Sequence, residues 1–236
     1  MLVRAYLPNF ITALFAGLFI AGGILTFGNA DVFDRLYFGI LIFTAVICRK
    51  NINVLSVLII LFAQLSMEEL AWLYRSDSYV VKIILYSTVI WFAYYFRYDW
   101  VAKAIFYIVI LVIFSEVYWY LTDYPPPQFY WHIWIMLSNL LVRYFLFSRV
   151  SLLDEYFPGK GMSTNLDWVI YRLSALVIIT QIAITLEYLA RHILGFSSVL
   201  FIYYSYEYII HGLATFAIWA TFHESYKQLL PRLLKA

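Results

Sequence analysis

The chain has 236 residues, of which 64% are hydrophobic, 21% are aromatic and only 13% are charged. Soluble domains average about 45–50% apolar and about 25% charged residues, so this composition excludes an ordinary soluble protein and favours a membrane protein. The net charge of +2 is too small to suggest a nucleic-acid-binding protein, and the single cysteine, Cys48, excludes an intramolecular disulfide.

Apolar runs separated by charged residues, prolines and glycines predict about eight transmembrane helices. In chain order these runs cover about residues 7–27, 34–48, 54–74, 79–96, 101–121, 128–147, 169–190 and 198–219. A span needs about 20 residues, so the second run is short. We interpret the first run as a retained helix rather than a cleaved signal peptide, because it is long enough to cross a bilayer. The predicted fold class is all-α, a polytopic integral membrane helix bundle.

The lysines and arginines predict how the chain is threaded. When alternate loops are placed on opposite sides of the membrane, one face receives only four of the 16 basic residues: Arg35, Arg75, Lys82 and Arg191. The positive-inside rule assigns the other, richer face to the cytoplasm. We therefore expect both termini in the cytoplasm and a multi-pass protein of the cell inner membrane.

The loops are too short for a separate soluble domain, so we expect residues 1–236 to form a single transmembrane domain. An internal repeat is a further hypothesis, because a shift of 118 residues aligns Glu69 with Glu187, Tyr86 with Tyr204 and Ser87 with Ser205. Two four-helix halves, residues 1–118 and 119–236, would fit this alignment. Such coincidences are also expected by chance in a chain so rich in Leu, Ile and Tyr.

Ionisable residues recur at one depth of several predicted spans. At about 1.5 Å per helical residue, four spans place such groups roughly 7–11 Å outside the midplane. These residues are Glu68, Glu69, Glu116, His132 and Glu187. A charged side chain near the membrane centre costs about 2.5–3.5 kcal/mol, so we expect these groups to share an acidic, partly hydrated cavity in the outer half of the bundle.

Helical spacing adds further polar residues to this set. Tyr203, Glu207 and His211 recur every four residues and share one face of the eighth span. Asn139 lies seven residues after His132 and shares its face of the sixth span.

The positions of Glu68, Glu69 and Glu187 around their helices predict which neighbours these side chains face. Glu68 and Glu69 lie about 100° apart around a helix, so they cannot both face the same point. Glu187 precedes Arg191 by four residues, in the order that favours a salt bridge along a helix. We therefore expect Glu187 to pair with Arg191.

Carboxylates and histidines that face a cavity inside a membrane are typical of proton and ion pathways. We therefore predict a proton- or cation-linked transporter or channel. Its binding or ion-pathway candidates are Glu68, Glu69, Glu116, His132, Asn139, Glu187, Tyr203, Glu207 and His211. The partner implied by the sequence is the lipid bilayer, and so small a transporter is compatible with a homo-oligomer or a partner membrane subunit. The sequence requires no cofactor.

An enzyme is the first alternative. The Glu68-Glu69 pair followed by His132 and His211 resembles the CAAX-protease-like intramembrane proteases, in which paired glutamates on one helix work with histidines on later helices. This resemblance implies a membrane-embedded, metal-dependent hydrolase or protease whose metal activates water. The metal ligands would then come from Glu68, His132, Glu207 and His211.

The sequence departs from that family in three ways. Arg75 follows the glutamate pair at a longer spacing than in the family's motif. Gln128 stands where the family has a phenylalanine before its first histidine, and Thr215 stands where it has an asparagine after the second. A third hypothesis, a non-enzymatic membrane assembly or effector subunit, also stays open, because it requires no particular residue.

Overall fold

The computed structural model describes residues 2–73, 78–125 and 128–233, with side chains described between residues 10 and 228 of these ranges. Arg75 and Lys235, which contribute to the charge distribution of the sequence, lie outside the described residues. The described chain is 85% helical, with eight α-helices and no strand. The helices are α1 (Leu2–Leu25), α2 (Ala30–Ile47), α3 (Ile52–Leu73), α4 (Tyr79–Tyr95), α5 (Trp100–Thr122), α6 (Tyr130–Tyr156), α7 (Asn165–Ile193) and α8 (Phe201–Leu233). The all-α prediction is confirmed.

Helices α6, α7 and α8 extend furthest beyond the apolar runs that predicted them. Helix α6 continues to Tyr156, α7 begins at Asn165, and α8 continues to Leu233. These extensions contain charged residues, which a search for apolar runs excludes although they have good helix propensity. Hydropathy therefore located each helix but underestimated the length of those with polar ends.

Polar side chains set several helix boundaries. Asn29 caps α2 by accepting a 3.2 Å hydrogen bond from the Val32 amide. Asp99 caps α5 in the same way, at 3.0 Å from the Val101 amide. Asp123 directly follows the last residue of α5, and its φ of 52° lies in the left-handed region that aspartate tolerates better than most residues.

Four helices in the described part of the chain are long and apolar enough to cross a membrane: α3, α5, α6 and α7. Helix α4, with 17 residues, is apolar but shorter. Helix α2 is 18 residues long but carries Asp31, Asp34 and Arg35 near its beginning. The prediction of a membrane protein is therefore confirmed in its general form, because several apolar helices could cross a bilayer.

Large apolar and aromatic side chains on these helices point away from the rest of the protein. Leu73, Tyr107 and Phe147 are between 70% and 77% exposed. In water such surfaces would be costly, whereas lipid tails are as apolar as the side chains themselves. This surface is what a membrane-embedded protein presents.

The chain divides into two compact units. Unit 1 comprises Met1–Leu65, Phe145–Leu173 and His211–Ala236, and unit 2 comprises Ser66–Tyr144 and Ser174–Ile210. Helices α3, α6, α7 and α8 each contribute residues to both units. Each unit also draws on both halves of the chain, so this division differs from the hypothetical repeat of residues 1–118 and 119–236.

Each unit has its own buried core. In unit 2, side chains from α4, α5, α6 and α7 pack together, with Val89, Ile105, Trp119 and Met136 almost completely buried. In unit 1, aromatic rings from α1 and α8 meet, with Phe15 and Phe19 about 5 Å from Phe222. Helix packing of this kind fixes which face of each helix turns inward.

Candidate functional site

The nine residues proposed from the sequence are divided unequally between the units. Unit 2 contains all of them except His211: Glu68, Glu69, Glu116, His132, Asn139, Glu187, Tyr203 and Glu207. Within unit 2 they fall into separate groups with different partners.

Glu68 lies on the face of α3 that meets α6. The Ser138 hydroxyl donates a hydrogen bond to its carboxylate at 2.6 Å. Ser138 is almost completely buried, and Glu68 is half-buried. Asn139, also buried, bonds through its amide nitrogen to the Ile135 carbonyl at 3.0 Å and to Ser138 at 3.4 Å. The carboxylate of Glu68 on α3 is thus hydrogen-bonded to a polar side chain of α6.

The second glutamate of the pair has a different environment. Glu69 is exposed, as expected for a residue about 100° around the helix from Glu68. Of the two adjacent glutamates, Glu68 is the one that packs against polar side chains.

His132 belongs to a chain of side chains that joins α6, α7 and α8. Its Nδ1 atom lies 2.8 Å from the amide oxygen of Gln181, which is completely buried. Because an amide oxygen only accepts hydrogen bonds, Nδ1 of His132 carries the proton in this arrangement. The Tyr206 hydroxyl lies 2.9 Å from the amide nitrogen of Gln181 and 3.1 Å from its oxygen.

The two groups share helix α6, which carries both His132 and Ser138. We call these five residues the polar network: Glu68, His132, Ser138, Gln181 and Tyr206. It links α3, α6, α7 and α8 within unit 2. Of its members, Ser138, Gln181 and Tyr206 are not among the nine candidates from the sequence. Gln181 is visible as an isolated amide in an apolar run, but a search for ionisable residues does not find it.

Glu116 is not part of that network. Its Oε1 atom lies 3.3 Å from the Lys82 ammonium and accepts a 2.6 Å hydrogen bond from the Tyr86 hydroxyl. These residues line a cleft of about 510 Å³ between α4 and α5. Glu68 and Glu116, which were expected to share one cavity, therefore have different partners within unit 2.

Glu187 has a structural role that differs from the expected salt bridge. Its two carboxylate oxygens accept hydrogen bonds from the backbone amides of Ile202 and Tyr203, at 2.7 and 2.9 Å. These amides begin α8, so Glu187 caps that helix from α7, where the free N–H groups attract negative charge. The Arg191 guanidinium instead lies over the Tyr203 ring, 5.8 Å from its centre.

The residues expected along one face of α8 are divided between the units. Tyr203 and Glu207 are exposed residues of unit 2. His211 belongs to unit 1, where its Nε2 atom bonds to the Gly23 carbonyl at 2.5 Å and its ring lies 4.5 Å from that of Phe33. His211 thus joins α8 to α1.

Two buried arginines form ion pairs that the sequence did not predict. Arg143 binds the cap residue Asp99 at 2.9 and 2.7 Å within unit 2. In unit 1, Arg149 makes a two-pronged contact with Asp167, at 2.7 and 2.6 Å. Arg149 also bonds to the Ser56 hydroxyl and to the Met162 carbonyl, so it ties the 157–164 loop to α3 and α6.

The candidate metal ligands do not converge. In residues 2–73, 78–125 and 128–233, no group of three or more His, Cys, Asp or Glu side chains lies close enough to hold a metal ion. Glu68 and His132 each have an amino-acid side chain as hydrogen-bonding partner instead.

No protein-family model, curated protein or solved structure matches this chain. Its function is therefore inferred from the geometry of its own residues.

Proposed function

We propose that this is an inner-membrane protein with eight crossings and both termini in the cytoplasm. The four long apolar helices and the exposed apolar surface support membrane insertion. The unequal distribution of Lys and Arg supports the orientation. The remaining crossings require α1, α2, α4 and α8 to span as well, with the short α2 helped by local thinning of the bilayer.

Single cysteines test this topology. In a Cys48→Ala background, cysteines at the exposed positions Asn29 and Ser197 should react with a membrane-impermeant maleimide in intact cells, whereas a cysteine at Lys160 should react only after lysis. Reaction of the Lys160 position in intact cells would contradict the proposed orientation.

We propose further that the protein carries out proton-linked transport through the polar network. The observation that carries this proposal is that Glu68 and His132, two titratable groups of unit 2, each hydrogen-bond to a polar side chain on another helix. A carboxylate within apolar helices is costly and would be replaced by an apolar residue if it only filled space. Histidine changes charge near neutral pH, so it can exchange protons under physiological conditions.

In this proposal a proton passes between helices through the side chains of the polar network. Hydroxyl and imidazole groups can each accept and donate a proton, and both occur here, in Ser138, Tyr206 and His132. The amide of Gln181 holds His132 and Tyr206 in place by bonding to both. Opening of the network to water on either side would complete a transport cycle.

The test compares two adjacent glutamates. The purified protein is reconstituted in proteoliposomes, a membrane potential is imposed with potassium and valinomycin, and internal pH is followed with a trapped dye. Glu68→Gln should abolish proton uptake, and Glu69→Gln, the same change at the exposed neighbour, should retain it. Equal uptake by the unaltered protein and Glu68→Gln would rule out the polar network as the pathway.

The metal-dependent hydrolase receives no comparable support. Two of the residues that the resemblance would place at one metal, His132 and His211, have other partners: the Gln181 amide and the Gly23 carbonyl. If proteoliposomes show no proton flux in any variant, an assembly or effector subunit becomes the better hypothesis, and copurification of a stoichiometric partner would test it.

A further inference from the structure

The cleft between α4 and α5 in unit 2 has the size and chemistry of a ligand site. Its volume of about 510 Å³ lies within the range of about 300–1,000 Å³ that is typical of small-molecule sites. Its walls are largely apolar, with Ile83, Ile90, Ile113 and Val117 among the lining residues. Tyr79 and Tyr120, near the first turn of α4 and the last turn of α5, also line it.

A positive and a negative group lie side by side in this apolar cleft. The Lys82 ammonium and the Glu116 carboxylate are 3.3 Å apart, with side chains only 8% and 15% exposed. A buried ion pair is often no more stable than apolar side chains of the same size. Its presence in a lipid-facing cleft therefore indicates a role beyond stability.

Each charged group has bonding capacity left. The Tyr86 hydroxyl and the Lys82 ammonium both contact Oε1 of Glu116. Among the described residues, no hydrogen bond involves Oε2 of Glu116, which leaves that oxygen as an acceptor. The contacts of Lys82 in the described chain are the Glu116 carboxylate and the Tyr79 ring, 5.8 Å from the ammonium, so its remaining N–H groups can bind an anion.

We propose that this cleft binds phosphatidylethanolamine, a phospholipid whose head group carries a phosphate and a primary ammonium. The phosphate binds Lys82, the ammonium donates to Oε2 of Glu116, and an acyl chain lies along the apolar wall. Each charge of the head group then lies beside an opposite charge of the protein. Neither Lys82 nor Glu116 is therefore left without an opposite charge when the lipid binds. This proposal rests on the membrane location proposed for the chain, but it does not depend on transport.

The same geometry disfavours other common lipids. Phosphatidylglycerol has no cationic group for Glu116, so its phosphate would bind beside an uncompensated carboxylate. Phosphatidylcholine has a cationic group without N–H donors, so it cannot hydrogen-bond to Oε2 of Glu116. The pair thus selects the primary amine.

The first test uses the unaltered protein and a series of lipids with identical acyl chains. The full chain in detergent is titrated with phosphatidylethanolamine, phosphatidylcholine or phosphatidylglycerol, and bound lipid is counted by native mass spectrometry. Phosphatidylethanolamine should bind about tenfold more tightly than either of the others, as expected for one additional charge-assisted hydrogen bond. Equal affinity for all three lipids, or equal affinity for the ethanolamine and choline lipids, would overturn the proposal.

The second test alters the site. Lys82→Met with Glu116→Leu removes both charges together, which avoids leaving one buried charge unpaired. This double variant should lose the head-group preference, whereas Lys103→Met, at an exposed lysine of α5, should keep it. An unchanged preference in the double variant would place the lipid elsewhere.

Two further measurements are needed. The first separates binding of the head group from binding of the acyl chain, and the second separates lipid binding from proton transport. Soluble glycerophosphoethanolamine should not displace the lipid, because the apolar wall contributes to binding, and displacement would show that the head group alone is the ligand. Glu68→Gln should bind phosphatidylethanolamine as the unaltered protein does, even if it loses proton flux. Loss of transport and loss of lipid binding are therefore distinguishable.

Discussion

Ser138 on α6 donates a 2.6 Å hydrogen bond to the Glu68 carboxylate on α3, while Glu69, the next residue along the chain, is exposed. Two identical side chains thus have opposite environments because a helix turns by about 100° per residue. The hydroxyl of Ser138 thus links α3 and α6 by a direct hydrogen bond.

We expect Ser138→Ala to destabilise the protein by about 1–3 kcal/mol, because it removes a hydrogen-bond donor from the half-buried Glu68 carboxylate. Ser115→Ala is the matched control, since Ser115 is equally buried in unit 2 but its hydroxyl bonds to the Leu111 carbonyl of its own helix. Thermal unfolding in detergent measures both. Equal losses would mean that the Glu68–Ser138 bond contributes nothing specific.

Arg149 should be the least replaceable basic residue of unit 1. Arg149→Met removes one partner of a buried pair and should cost about 3–5 kcal/mol, because Asp167 keeps a buried and uncompensated charge. Arg149→Lys should also be destabilising, since an ammonium cannot reproduce the two-pronged contact with the carboxylate. The exposed Arg172→Lys is the control. Wild-type stability in Arg149→Lys would show that the fork geometry is unimportant.

Glu187 should control the order of the first turn of α8. Glu187→Gln weakens the two bonds to the Ile202 and Tyr203 amides, so hydrogen exchange at these amides should accelerate. Arg191→Met should leave their exchange unchanged. The reverse result would support the Glu187–Arg191 salt bridge expected from the sequence.

His223 should make stability depend on pH. It lies on α8 beyond the apolar run that ends near residue 219, and its pKa is lowered by burial and by Lys227, against the opposing effect of Glu224. The unfolded chain, with a histidine pKa of about 6.5, therefore takes up the proton first as the pH falls. The stabilisation by neutral His223 is complete above about pH 6.5 and is lost as the pH falls toward the lower folded-state pKa.

His223→Gln removes this titration. Between about pH 7.5 and about pH 5.5, the melting temperature of the unaltered protein in detergent should fall more than that of the variant. Parallel melting curves across this range would show that His223 does not contribute.

The polar network shows how far sequence reasoning reached. Glu68 and His132 were identified because ionisable residues in apolar helices are rare and costly. Their partners Gln181 and Tyr206 were not, since neither carries a charge and tyrosines are common along this chain. A neutral group becomes recognisable as part of a site only when its neighbours are known.

The amino-acid sequence by itself determined the helical class, the position of each helix and the lipid-compatible surface. These properties depend on the spacing and length of apolar runs, which are local features of the chain. Only the tertiary structure decided that Glu116 meets Lys82, that Glu187 caps α8 and that His211 binds the Gly23 carbonyl of α1. Side-chain partners depend on the rotation of each helix about its axis, and packing against other helices, rather than the local sequence, sets that rotation.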